Sequence, residues 1–460
     1  MIMYKKLYFV GFAIYAVLFV FSLQFAKERI LFIDMASNLF YIIVNNGFAI
    51  SHYRFGDMVS QSFPLLGIKL GLQLSSLINL YSACYIVYSL AAYIVCGSIL
   101  KRYDLALVVL LQNVLFSSDT FYVLSQLPQS ITLLLVVCAM VEGRQLASMG
   151  WFAKVAIAVL LVTIVFFHPV SIFVMLFCVG YFMLEGKQAP DRRLLVGIVV
   201  FYFAVLLFKF LALRTPYESH SMSGLKNFVT QFPDYITLYS NRHFLQNCLT
   251  KYYWIPIIFV LVAVHYIRRH EKKKLWFFVL SVIGYLGLVD ICYPTDATPQ
   301  FYIENIYLPL SVFLSVPFVL EVLPAWGNKQ LAMGLVALIS VTGLVRIYAT
   351  HTLYTARLNA YRDVLHQYGE RKVVLDTRSV DMGLIMMAWG TPYEFLLLSE
   401  CELNRPASII IDEHPRRLEW ARGADATLVV NWNVFPYKDL PRRYFNFADT
   451  VSGYAIVPDR

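Results

Sequence analysis

Two carboxylates and a guanidinium share one short polar-and-apolar stretch near the start of this chain: Asp34, Arg54 and Asp57. Asp34 stands in Phe32-Ile33-Asp34-Met35, an acid among apolar neighbours. A partly desolvated carboxylate near a membrane surface can take a proton from a hydroxyl as that hydroxyl attacks an electrophile. The plainer reading is an acid in the first turn of a helix, where it favours the helix dipole. Asp57 follows as a second acid or as a helix cap. Arg54, in Tyr53-Arg54-Phe55-Gly56, presents a planar fork suited to phosphate oxygens. An interfacial arginine reaching toward lipid headgroups would look the same. His168, followed by Pro169 at a tight turn between two apolar runs, is a proton donor, a phosphate contact, or a helix-end histidine bonded locally. The 214–253 segment adds Arg214, Arg242 and Lys251, interleaved with tyrosines such as Tyr235, Tyr239 and Tyr252. Cations and aromatics beside a membrane fit a polyprenyl-phosphate or glycolipid headgroup; a solvated loop could carry the same residues. Asp290, Asp296 and Glu304 stand near the ends of two later apolar runs and are expected to line the same cavity. There is no HExxH, P-loop, GxSxG or dinucleotide fingerprint.

The elements that must position these residues are mostly apolar. Of 460 residues, 59% are hydrophobic and 15% charged, with a mean hydropathy of +0.62, the balance of a polytopic membrane protein. A net charge of +9 would point to nucleic acid in a soluble chain. Here the basic residues cluster in short loops of cytoplasmic type, so no nucleic-acid partner is expected. Lys5-Lys6 followed by Leu7 to Phe25 resembles a signal peptide without a small-residue cleavage site, and is read as an uncleaved first span. Further spans are expected at about 75–100, 104–118, 125–141, 151–167, 169–185, 194–213, 254–267, 275–290, 303–323 and 330–349, about eleven in all. With the N-terminus inside, Lys101-Arg102, Arg144, Lys187/Arg192/Arg193, the 268–274 cluster and Lys329 all fall on the cytoplasmic side. The 27–74 loop, His168 and the 214–253 segment then fall outside, as does the C-terminus. Within 27–74, Ile33, Leu39, Phe40, Ile42 and Ile43 alternate with polar residues at helical spacing, and a second amphipathic run follows from about Asp57 to Leu72. Both are expected to lie as helices along the membrane surface.

From about Leu353 the character changes. Lys372–Asp376, Ser408–Asp412 and Thr427–Asn431 read as short strands, and Pro415–Arg422 as a helix opened by proline. The expectation is a transmembrane module over 1–352 and a small extracytoplasmic α/β domain over 353–460 with a core of its own. Its acids Asp376, Asp381, Glu394, Asp412 and Glu413 are expected to be solvated. Seven cysteines show no CxxC or metal spacing, and Cys84, Cys96, Cys138 and Cys178 lie in apolar runs.

Asp34 in FIDMASNLFYI, the tract RFGDMVSQSFPLLGIKLG, about eleven spans and a C-terminal extracytoplasmic domain together resemble the GT-C superfamily of glycosyltransferases. That group includes protein O-mannosyltransferases and lipid A aminoarabinose transferases. The same tract and the late WGTPYEFLLLSE segment resemble multispan envelope proteins of Bacteroidetes type. The resemblance implies a bacterial inner-membrane enzyme, a polyprenyl-phosphate-linked sugar as donor, an extracytoplasmic acceptor (lipid, glycan or protein), and inverting attack at the anomeric carbon. Asp34 matches the family's catalytic base. Many relatives carry a second acid close by, where this chain has Met35. No metal is needed, with a divalent ion as the alternative found in oligosaccharyltransferase-like relatives. Two other readings stand beside this one. A polysaccharide polymerase or O-antigen ligase would lean on external arginines and His168, and a lipid-linked glycan transporter would place its acids at mid-membrane.

Overall fold

The computed structural model describes residues 2–185, 190–213, 215, 222–296, 298–369, 371–423, 425–430 and 433–457. Backbone amides have no partners in hydrocarbon, so apolar runs of spanning length close their hydrogen bonds as helices. Six helices are long and apolar enough to cross a membrane: Ile2–Gln24, Leu74–Ile99, Arg192–Ala212, Lys272–Cys292, Gln300–Ala325 and Lys329–Tyr368. A seventh is obtained if Tyr239–Thr250 and Trp254–Arg268, bent by 91° at their junction, are counted together. Four apolar helices are shorter: Tyr103–Leu115, Gln126–Val141, Trp151–Phe167 and Ser171–Leu184. At about 1.5 Å per residue the first of these reaches roughly 20 Å, short of a hydrocarbon core of about 30 Å. Tyr103–Leu115 is instead buried almost all round, from Leu105 to Leu111, as the centre of the bundle. The architecture is that of a helical membrane protein.

The loop that follows the first helix is not draped on a membrane as its pattern suggests. The apolar face of the Ile33–Asn45 helix (Leu39, Phe40, Ile42 and Ile43) is fully enclosed by protein. The Phe40 ring sits 5.3 Å from those of Tyr393 and Phe435 and 5.6 Å from Phe445, all in the C-terminal region. Spacing fixes which face of a helix is apolar but not what covers it. Here the cover comes from more than 350 positions away, and it is protein. The second helix, Met58–Lys69, does keep outward apolar residues, among them Met58, Val59 and Leu66.

Loop and C-terminal region therefore share one core, and polar ties repeat along their seam. Lys27 pairs with Glu402 at 2.8 Å, Glu402 also holds Arg362, and the Tyr444 hydroxyl donates to the Leu72 carbonyl at 2.9 Å. The helix Lys329–Tyr368 runs 40 residues without a break, carrying the chain past Leu353 into this region. Strand β1 (Val373–Asp376) then pairs in parallel with β2 (Ile409–Asp412) on one side. The helix Thr391–Leu403 connects the two. An antiparallel pair follows, β3 (Thr427–Val430) with β4 (Asn433–Pro436). Parallel β5 (Ala455–Ile456) closes the other side of β1. The first three strands fall where their short apolar, β-branched runs placed them, with Asn431 outside the described residues. Pro415–Gly423 is 3-10 helix with a non-helical Leu418 rather than an α-helix.

Candidate active site

The chain reaches Asp34 through an unusual backbone. Ile33 has φ +39°, a left-handed conformation that a β-branched residue adopts only when its surroundings force it. The force comes from a buried ion pair. Glu394, on the Thr391–Leu403 helix, accepts hydrogen bonds from the Ile33 amide and the Tyr361 hydroxyl, and from Arg357 Nη2 at 2.6 Å. Arg357 in turn donates to the carbonyls of Leu31 (3.1 Å) and Ile385 (3.2 Å), with its guanidinium 4.5 Å from the Phe32 ring centre. Both side chains are about 1% exposed. A Cβ on Gly390 would meet the Ile33 Cα at 2.8 Å, so only glycine lets the Thr391–Leu403 helix approach this closely. The expectation that Glu394 is a solvated acid is thus overturned: it clamps the peptide that presents Asp34.

Asp34 itself is accessible to solvent, yet burial raises its carboxyl above the ordinary carboxylate value, with the Arg54 charge opposing the rise. These two facts are compatible when the carboxylate faces a recess walled by protein. Asp57 lies within electrostatic reach of Asp34 and Arg54 but is itself buried, and burial pushes its carboxyl up to about 7 against the pull of Arg54 and Gln126. Gln126 joins the acid to the guanidinium. It donates to Asp57 Oδ2 at 3.1 Å and accepts from Arg54 Nη1 at 2.9 Å. The alternative reading of Asp57 as a helix cap fails, because its carboxylate makes no cap bond to the Met58–Lys69 helix.

His168 joins this group from the Trp151–Phe167 side. A Cβ on Gly56 would run into the Phe167 ring, and Phe55 packs on Phe166 at 5.6 Å; these contacts bring Arg54 to the turn. His168 Nδ1 accepts from the Val170 amide at 3.2 Å, which leaves the proton on Nε2. Burial and the charges of Arg54 and Lys209 hold His168 well below the ordinary histidine value, so it is neutral. Lys209 is a site residue that the sequence reading passed over. It is buried near the end of the Arg192–Ala212 helix, with Nζ 3.3 Å from the Val165 carbonyl. Its signal was there to see: a lone charge inside an apolar run of spanning length. Tyr302 lies within electrostatic reach of both Arg54 and Asp34.

The remaining expected residues lie elsewhere. Lys251 pairs with Asp119 at 3.3 Å in a second network. In that network Glu304 accepts from the Ser118 amide (2.7 Å), the Thr120 amide (3.0 Å) and the Tyr252 hydroxyl (2.6 Å). Phe32, Phe301 and Tyr354 pack edge-on near the two groups. Asp290 accepts from Tyr307, apart from both. Arg242 is exposed on the Tyr239–Thr250 helix, and Arg214 lies outside the described residues. Among the described residues no three His, Cys, Asp or Glu side chains are grouped to hold a metal ion. No family model matches the chain, and no curated protein or solved structure matches it.

The arrangement puts one accessible carboxylate of raised proton affinity beside a guanidinium, a buried ammonium and a neutral imidazole donor. It can take a proton from a hydroxyl and steady an anion.

Proposed function

We propose that this chain is an integral-membrane glycosyltransferase of GT-C type. It moves a sugar from a polyprenyl-phosphate donor to an extracytoplasmic hydroxyl acceptor, with Asp34 as general base. In this reading the bundle of apolar helices sits in a bacterial inner membrane, the N-terminus is cytoplasmic, and residues 353–460 lie outside. The observation that carries the reading is the presentation of Asp34: an accessible acid one residue after a strained Ile33, pinned by a buried Arg357–Glu394 pair. Strain held in place at this expense is characteristic of functional sites.

The acceptor hydroxyl loses its proton to Asp34 as its oxygen bonds to the anomeric carbon. The bond from that carbon to the phosphate oxygen breaks on the opposite face, so configuration inverts. The polyprenyl phosphate leaves with one more negative charge than it carried in the donor. Arg54 and Lys209 are placed to stabilise that charge, which matters more than protonating an already good leaving group. The outward apolar face of the Met58–Lys69 helix would give the polyprenyl chain a lipid-side approach. His168, neutral beside Arg54, is the observation that favours a polymerase or ligase as second reading.

The test uses purified full-length protein in lipid nanodiscs, a panel of short-chain polyprenyl-phosphate sugars, and host-membrane extract as acceptor. Wild type should release polyprenyl phosphate, and Asp34→Asn should lower that rate by about 100-fold or more, the usual worth of a general base. Donor binding should persist in the variant. Ordinary turnover by Asp34→Asn would rule the assignment out.

A further inference from the structure

The helical bundle also holds a space, lined by polar and apolar side chains, that the proposed reaction does not use. It is a cavity of ≈ 50 Å³, lined among others by Arg29, Tyr85, Ser89, Asn113 and Gln129. A single water-sized sphere needs roughly 10–15 Å³ of such volume, so the space admits more than one small species. Arg29 belongs to the short helix Ala26–Ile30 and is 1% exposed. One face of its guanidinium covers the Phe121 ring, 4.2 Å from the ring centre. Its Nε and Nη1 have no hydrogen-bond partner among the described residues. Nor has either amide atom of Gln129, which is 2% exposed. The groups that act on Arg29 electrostatically are Tyr122, Tyr85 and Cys84, none of them a carboxylate.

An arginine cannot escape this predicament by shedding its proton, as a lysine can. A buried cation with no counter-charge is among the most destabilising features a fold can carry. The geometry points to an inorganic monovalent anion, of which chloride is the type, bound between Arg29 and the Gln129 amide. Water would satisfy the N–H groups but not the charge. A doubly charged oxyanion would find one cation where it needs more. The site has a structural consequence, since Arg29 is followed by Ile30 and Leu31, the residue whose carbonyl Arg357 holds. An anion at Arg29 would brace the peptide leading to Asp34.

Thermal unfolding of the detergent-purified full chain should be compared in sodium chloride, bromide and gluconate at equal ionic strength. The wild-type midpoint should rise by several degrees in chloride and bromide over gluconate, saturating with concentration as binding linkage requires. Arg29→Met should abolish the halide-dependent rise. Should that variant not fold, Gln129→Leu, which keeps the charge but fills the cavity, should shrink the rise. A bromide anomalous peak beside Arg29 should appear in crystals of the wild type. Equal wild-type midpoints in chloride and gluconate overturn the assignment. So does a halide effect that survives in Arg29→Met or is undiminished in Gln129→Leu, or a rise produced by short-chain polyprenyl phosphate and not by chloride.

Discussion

Glu394→Gln isolates the clamp behind Asp34 with a change of one atom. The amide can still accept from the Ile33 N–H, but it no longer neutralises Arg357, which stays buried among Phe32, Leu31 and Tyr361. Removing one partner of a buried ion pair costs about 3–5 kcal/mol, because the other charge is left uncompensated. The strain at Ile33, of order 1–3 kcal/mol, is then no longer held and relaxes toward φ < 0. Taking the lower figure, local opening of the Leu31–Ala36 segment becomes easier by about 3 kcal/mol, or roughly 100-fold in amide exchange. Hydrogen exchange by mass spectrometry in nanodiscs reads this on peptides covering 26–45. Donor turnover should fall while the transmembrane peptides keep their protection. The double variant Arg357→Met with Glu394→Leu removes both charges and should recover most of the protection, short of about 1–3 kcal/mol for the orphaned Ile33 amide. Exchange in Glu394→Gln within threefold of wild type would refute the clamp, as would a double variant no better than the single.

Two further predictions concern the recess. Asp57, held at about 7 when folded against about 4 when unfolded, binds its proton more tightly in the native state. Between those values the folded form carries the extra proton, so stability from this group is present below about pH 4 and is lost as pH rises through 7, by up to about 4 kcal/mol. Asp57→Asn should therefore flatten the fall of the unfolding midpoint between pH 4 and 7; an unchanged slope would contradict the assignment. His168→Asn keeps an acceptor for the Val170 amide and removes the Nε2 donor. The transferase reading expects it to retain at least about a tenth of wild-type turnover, since the leaving phosphate needs charge more than a proton. Complete loss with an intact fold would favour the polymerase or ligase.

Much of the architecture could be read from hydropathy alone, because within a membrane an apolar run has no option but to be helical. Each of the eleven apolar runs is a helix, with boundaries displaced by a few residues at most sites. Lys329–Tyr368 is the large exception: it continues well past residue 349, since polar residues such as Arg357 are buried against protein rather than exposed at a span end. The grouping of Asp34, Arg54 and Asp57 was legible because one short loop carries all three. His168 joins them through the packing of Phe55 and Gly56 on Phe166 and Phe167. What sequence could not give were relations set by distant pairing. Glu394 lies 361 positions from the Ile33 amide it holds, and nothing local distinguishes it from the other acids expected to be solvated there, of which Asp376 and Asp412 are also buried and paired with arginines. The Ile33–Asn45 helix shows the same limit, with its face correctly read and its partner not. Lys251, read from the sequence as a phosphate contact, pairs with Asp119, a partner that nothing local to Lys251 announces.

The most direct test of the account is a structure of the full chain in a nanodisc with a short-chain polyprenyl phosphate bound. The account predicts the phosphate against Arg54 and Lys209, with Asp34 across a gap the size of one sugar ring. A phosphate bound away from Arg54, with Asp34 opening onto a continuous path through the bundle, would contradict transfer and point to transport.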